Sequence, residues 1–215
     1  MRNQFNEQLN ALNADLIAMG ALCEGAIACA VKALTSGDSR LAETAVEKSR
    51  AIDRCEREIE ATCLRLILQQ QPVARDLRQI TVALKIITDM ERIGNQAADI
   101  AELCATYGVS ADSGDAIAEM ATAVIRMVTN AVDAFVRRDE VLAGEVVTSD
   151  DVADGLFVRV KTELCTLIAE DRTRGEAALD TLLIAKYLER IGDHAVNIAL
   201  WVIFAVTGKH EGDNA

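Results

Sequence analysis

Aromatic residues make up only 3% of this 215-residue chain, and Pro72 is its single proline. Rings and helix breakers this scarce leave a core of Ala, Leu, Ile and Val, which favours helices packed closely on small and aliphatic side chains. Histidine is scarcer still, with only His194 and His210. No Glu-x-x-His pair occurs, which excludes a di-iron carboxylate bundle of the usual kind. A nucleophile elbow and a GxxxxGK phosphate loop are also missing. The sequence therefore offers no catalytic constellation, and we expect no enzyme.

Clustered basic residues are wanting as well. The formal net charge is −12, whereas contacts to nucleic-acid phosphates need grouped Lys and Arg. A flat anionic membrane would repel such a chain. Metal cations, or a basic patch on a protein partner, suit it better. With no basic nest, it is expected to be a poor direct receptor for phosphate. The six cysteines (Cys23, Cys29, Cys55, Cys63, Cys104 and Cys165) form no CxxC pair and sit mostly among aliphatics. That is the usage of structural thiols in a reducing compartment. The most apolar stretch, Ala199 to Val206, is too short to span a bilayer. The amphipathic N-terminus lacks the apolar core of a signal peptide. The expectation is a soluble, cytoplasmic protein.

What the chain does have is helical periodicity, interrupted rarely. Helices are expected over 3–35, 39–70, 73–106, 112–138, 140–170 and 173–207. Pro72 fits the first turn of the third, where its missing N–H costs nothing. Only Tyr107 to Asp115 is loop-like enough to be a boundary.

The two halves repeat. Asp38, Leu41 and Ala42 match Asp139, Leu142 and Ala143 at an offset of 101, and Ile52–Cys55 matches Ala153–Leu156. Beyond the following turn the offset is 98, pairing Ile80, Leu84 and Ile93 with Ala178, Leu182 and Ile191. The turn after the fifth helix is therefore three residues shorter than its counterpart. A duplicated three-helix unit explains this pattern, and short turns make its helices antiparallel. The predicted fold is all-α: two pseudo-symmetric three-helix bundles, residues 1–108 and 112–208, with a flexible tail at 209–215.

The strongest repeat is "MERIGNQAADIA" (Met90 to Ala101) against "LERIGDHAVNIA" (Leu188 to Ala199). Ile184, Leu188, Ile191, Ala195, Ile198 and Val202 form a heptad seam, as do Ile86, Met90, Ile93, Ala97, Ile100 and Cys104. On another face, Glu189, Asp193 and Asn197 stack in a row, as do Glu91, Asn95 and Asp99. A solvated helix often alternates Glu with Lys at i+4. Here the i+4 partners of Glu189 and Glu91 are an acid and an amide. Apolar neighbours such as Leu182, Ala185, Leu84 and Ile87 indicate that the row is partly covered, so its acids need a countercharge. Carboxylates at this spacing can share cations such as Mg²⁺, Mn²⁺ or Fe. Asp53 and Glu56 on the second helix, and Asp154 on the fifth, are placed to add ligands. Gly94 and Gly192, in mid-helix, point to a close approach by a neighbour.

The doubled "ERIGD…A…NIA", preceded by "QQPVARDLR", resembles the PhoU family of phosphate-signalling proteins over nearly the whole chain. That resemblance implies two three-helix bundles, commonly paired as homodimers. It implies a cytoplasmic negative regulator of phosphate uptake, peripheral to the membrane, linking a phosphate ABC transporter to a sensor histidine kinase. It also implies surface metal ions (Fe, Zn, Mn or Mg) on E(D)xxxD motifs. By position these are Glu91, Asn95 and Asp99, and Glu189, Asp193 and Asn197. Asn95 stands where the family pattern has an acid, so the first site is expected to be weaker or empty. Two other readings are a metal-free helical adapter and a phosphorelay protein that uses His194. On any of these readings, the phosphate signal is expected to arrive through a partner.

Overall fold

The computed structural model describes residues 2–107 and 114–209, with side chains described at 5–105 and 115–209. Of the boundary expected at Tyr107 to Asp115, Tyr107 ends one helix and Gly114 and Asp115 begin the next, while residues 108–113, like tail residues 210–215 with His210, lie outside the described residues. Six α-helices occur among the described residues: α1 (Arg2–Ser36), α2 (Ser39–Gln70), α3 (Arg75–Tyr107), α4 (Gly114–Arg137), α5 (Glu140–Glu170) and α6 (Gly175–Thr207). A 3-10 turn, Arg172–Arg174, precedes α6.

The ends of the helices follow from local chemistry. Asp38 and Asp139, matched residues of the repeat, are the N-caps of α2 and α5. Their carboxylates accept from the Arg40 and Leu142 backbone N–H groups respectively. Gly37 takes the left-handed conformation that ends α1, with φ 68°. Pro72 departs from expectation. It precedes α3 by three residues, in a connection where Gln71 and Ala74 both adopt positive φ (44° and 46°). Gln71 caps α2 by donating to the Ile67 carbonyl, and a residue preceding proline disfavours the helical region. The chain therefore stays out of helix until Arg75. In the second half the 3-10 turn, wound tighter than an α-helix, accommodates the three-residue deletion.

Helices α1, α2 and α3 pack on one another, and so do α4, α5 and α6. Across the two units α3 packs on α6 and α1 on α4, which leaves α2 and α5 as the outer helices. Both heptad seams are interior: Ile184, Leu188, Ile191, Ala195, Ile198 and Val202 are at most 1% exposed. Ile86, Met90, Ile93, Ala97 and Ile100 match them, while Cys104 is partly covered. All six cysteines are free thiols. Burial pushes the Cys23 thiol well above its ordinary pKa and that of Cys63 up to about 12.

One helix corrects the reading of apolar runs. Within α1, Phe5–Ser36 contains an 18-residue stretch with mean hydropathy 1.7, long and apolar enough to cross a membrane by length and composition. Within Phe5–Ser36, Leu12, Leu16, Met19, Cys23, Ala26, Ile27 and Ala30 are at most 1% exposed. A helix that is apolar on most sides is one that packs on several neighbours, and α1 meets α2, α3 and α4. Glu7, Asp15, Glu24 and Lys32 recur along it and interrupt any continuous apolar run.

The two mid-helix glycines mark close approaches of different tightness. A Cβ on Gly94 would lie 2.9 Å from Cδ1 and 3.3 Å from Cγ2 of the buried Ile52 on α2. A Cβ on Gly192 would lie 3.7 Å from Ala153 Cβ, an ordinary contact. Ile52 and Ala153 are matched positions, so the larger residue in the first unit takes up the space that the second unit leaves. Ile52 is β-branched and stiff at χ1, so it cannot readily move aside. Gly94→Ala should therefore destabilise the protein by about 1–3 kcal/mol through overpacking. Gly192→Ala should stabilise it by about 0.5–1 kcal/mol through helix propensity. Urea unfolding followed by far-UV circular dichroism checks the pair, and effects of the same sign would contradict the difference in clearance.

Candidate functional site

The acid row of α6 meets α5, and that of α3 meets α2. In the second unit Glu189 and Asp193 face Asp150 and Asp154. These four carboxylates act on one another: burial raises the pKa of Asp150 first, followed by repulsion from Asp154, Asp193, Asp151 and Glu189. Asp193 is raised by burial and then by Glu189, against the opposing pull of Lys186. Lys186 ion-pairs with Glu189, whose side chain is only 17% exposed, and lies 5.6 Å from the centre of the Phe157 ring. The countercharge demanded by a half-covered acid row is thus supplied in part by the protein itself, one turn before Glu189.

In the first unit the matched positions carry different chemistry. Ser49 stands in the place of Asp150, Asn95 of Asp193, Glu56 of Phe157 and Thr88 of Lys186. Asn95 Nδ2 donates to Glu91 Oε1 at 2.7 Å, and Ser49 Oγ donates to Asn95 Oδ1 at 3.4 Å. Amide and hydroxyl therefore satisfy Glu91 where the second unit uses a lysine. The pKa of Glu56 is raised by burial, then by Glu60 and Glu91. Asp53 keeps one carboxylate oxygen, Oδ1, that is buried and has no hydrogen-bond partner among the described residues. A buried acceptor left this way is costly.

The ends of the two rows diverge from the clusters. Each step of four residues turns the row by about 40°, so the third member stands about 80° round the helix and about 12 Å along it. That carries Asp99 away from Glu56 and towards α6: its pKa is raised by burial and by Glu102, while Arg190 of α6 opposes the rise. Asn197 is exposed. The structure therefore brings together Glu189, Asp193 and Asp154, with Asp150 as a member missed from the sequence. It groups Glu91, Asn95, Glu56 and Asp53, with Ser49 also missed. Asp99 and Asn197 stand apart from both groups. Asp150 was legible in principle, since it lies one turn before Asp154 on the same face of α5.

The donors in the second group are carboxylate oxygens, the type favoured by hard and borderline cations. As the side chains are placed, no three Asp, Glu, His or Cys residues among those described converge on one point closely enough to hold an ion. Coordination would need rotamer changes in side chains that now repel one another.

His194 occupies a different place from the acid row. Its Nδ1 lies 2.9 Å from Asp89 Oδ1 across the α3–α6 contact, and its side chain is 15% exposed against 9% for that of Asp89. That contact gives the ring a place in the α3–α6 packing, with Nδ1 engaged by the Asp89 carboxylate. Asp89 was not singled out from the sequence, because only the packing of α3 on α6 gives it a partner.

A carboxyl whose folded-state pKa is raised destabilises the fold above that pKa. The penalty is relieved as pH falls through the folded value towards the ordinary one, about 4. Removing one charge from the second group should therefore help most at neutral pH. Asp150→Asn is expected to raise the melting temperature of metal-free protein at pH 7, with the gain shrinking towards pH 4. Differential scanning calorimetry across that range checks it; a pH-independent gain, or a loss at pH 7, would contradict mutual repulsion.

Comparison with known proteins places these features in context. The family model described as "PhoU domain" matches twice, over residues 16–104 and 117–202. The chain is 37% identical over 211 residues to a phosphate-specific transport system accessory protein PhoU homolog of Clostridium acetobutylicum, spanning 97% of this chain and 96% of that one. A homolog of the same description from Pseudomonas aeruginosa is 38% identical over 95% of this chain and 86% of its own. The crystal structure of PhoU from Pseudomonas aeruginosa superposes with a TM-score of 0.89 at 36% identity, covering 95% of this chain and all (100%) of that one. The phosphate transport system regulatory protein PhoU from Streptococcus pneumoniae gives a TM-score of 0.88 at 25% identity, over 96% of this chain and 99% of its own.

Proposed function

The chain belongs to the PhoU family, and on that ground we propose that it is an accessory protein of a phosphate transport system. In this reading it is a cytoplasmic negative regulator of phosphate uptake and of the phosphate-starvation response. It acts as an adapter, commonly a homodimer, between a phosphate ABC transporter and a sensor histidine kinase, and it works through protein contacts rather than catalysis. The observation that carries the reading is end-to-end similarity: relatives bearing the accessory-protein name align along 95% or more of this chain, with both three-helix units included.

Deletion of the gene should derepress phosphate-starvation genes in phosphate-rich medium, measured by transcript levels or a reporter. Unchanged expression would count against the regulatory role.

The acid groups give this adapter a metal-dependent surface. Glu189 and Asp193, with Asp150 and Asp154, hold a cation such as Fe, Zn, Mn or Mg. The cation would cancel the repulsion among these carboxylates and lock α5 against α6. The first group, with an amide and a hydroxyl in place of two acids, binds more weakly. Its orphaned Asp53 oxygen is the feature there that favours a ligand.

Elemental analysis of protein purified without chelator should find one of these metals. The double variant Asp150→Asn, Asp193→Asn should lose it. No metal after purification and reconstitution would sink the metal reading and leave the regulatory one standing, because adapter contacts do not require it.

A further inference from the structure

The expectation that this acidic chain has no basic nest does not survive folding. Arg75, the first residue of α3, lines one recess with Arg138, which stands at the turn between α4 and α5 far away in sequence. A narrow recess there is lined by Arg75, Gln79, Phe135, Arg138, Val202 and Val206. Gln79, only 6% exposed, accepts a hydrogen bond from Arg138 Nη2 and so fixes that guanidinium. Arg78 reaches the end of α6, with Nη1 3.5 Å from the Phe204 carbonyl oxygen and its guanidinium carbon 5.9 Å from the ring centre.

The charges do not balance. Among the described residues neither Arg75 nor Arg138 forms an ion pair, and Asp76 is the nearby acid that partly offsets them. Burial lowers the Arg138 pKa, and Arg75 lowers it further, so an anion is wanted at this spot. Arg138 also has positive φ, 56°. An arginine in the left-handed region costs about 1 kcal/mol relative to glycine, which would terminate α4 without strain. The position bears that strain and the repulsion together.

We propose that Arg75 and Arg138 form a binding site for a phosphate-type oxyanion, with Gln79 positioning the Arg138 guanidinium. The recess holds only about 10 Å³ of space for a water-sized sphere, room for roughly one water. The oxyanion therefore sits at its mouth, bridged by the planar forks of two guanidinium groups. The ligand is a small tetrahedral dianion, either free phosphate or the terminal group of a phosphate ester. This inference does not depend on the regulatory reading, because it is tested on the purified chain alone.

Isothermal titration of the full chain with inorganic phosphate and, separately, with glycerol phosphate distinguishes the two sources. Potassium chloride at matched ionic strength is the control. Binding of either phosphate compound, weakened about tenfold or more by Arg75→Gln and by Arg138→Gly, is the expected result. Arg138→Gly relieves the backbone at that residue, so its melting temperature should hold or rise, which separates loss of binding from loss of fold. Arg126→Gln, in the groove between α4 and α5, should bind as the parent does. No binding at millimolar concentrations, an equal response to chloride, or binding that survives both substitutions would overturn the proposal.

Discussion

Helices α3 and α6 are each buried on two sides, by their own bundle and by one another, and the remaining features follow from that. Their seams are interior, apart from the partly covered Cys104. Their mutual contact places Asp89 opposite His194. What is left of each helix is one face only partly covered by α2 or α5, with Glu91 and Glu189 half-buried and Asn95, Asp193 and Asn197 exposed. Glu91 and Glu189 lie on that face. An acid there is neither free to be hydrated nor deep enough to be neutralised outright, and it must find a partner in the outer helix or on a neighbouring turn.

The two units meet that demand in different ways. The second concentrates like charge: after burial, Asp154, Asp193 and Glu189 raise the pKa of Asp150, Glu189 and Asp154 raise that of Asp193, and Lys186 offsets part of the repulsion. The first replaces two of those acids with Ser49 and Asn95 and resolves Glu91 by hydrogen bonding. One geometry, used twice, therefore gives a charge-rich groove and a hydrogen-bonded one. The glycine clearances differ in the same way, because Ile52 fills what Ala153 leaves open. Duplication preserved the backbone, and the side chains between the helices diverged.

Much of the fold was legible because helices announce themselves locally. Caps at Asp38 and Asp139, the break at Gly37, and heptad seams all act within a few residues of chain. The misplacement of Pro72 came from the same locality: its ring suits a first helical turn, but the left-handed Gln71 and Ala74 on either side keep the chain out of helix. The candidate site was legible where spacing along one helix sufficed, as for Glu189 and Asp193. It was not legible where only the partner on another helix reveals the residue, as for Ser49 and Asp89, whereas the spacing of Asp150 to Asp154 could have found it. Asp99 lies towards Arg190 of α6, because each i+4 step turns the row about 40° further round the helix.

By itself the sequence determined the all-α class, the duplication, the buried seams and the acidic row, since each is written in periodicity and in matched residues. Tertiary structure alone decided which charges meet. It set four carboxylates against one another across α5 and α6, paired Asp89 with His194, and gathered Arg75 and Arg138 in a chain whose net charge is −12. Coulomb interactions depend on distance in space, and antiparallel helices bring together residues that composition and spacing leave far apart.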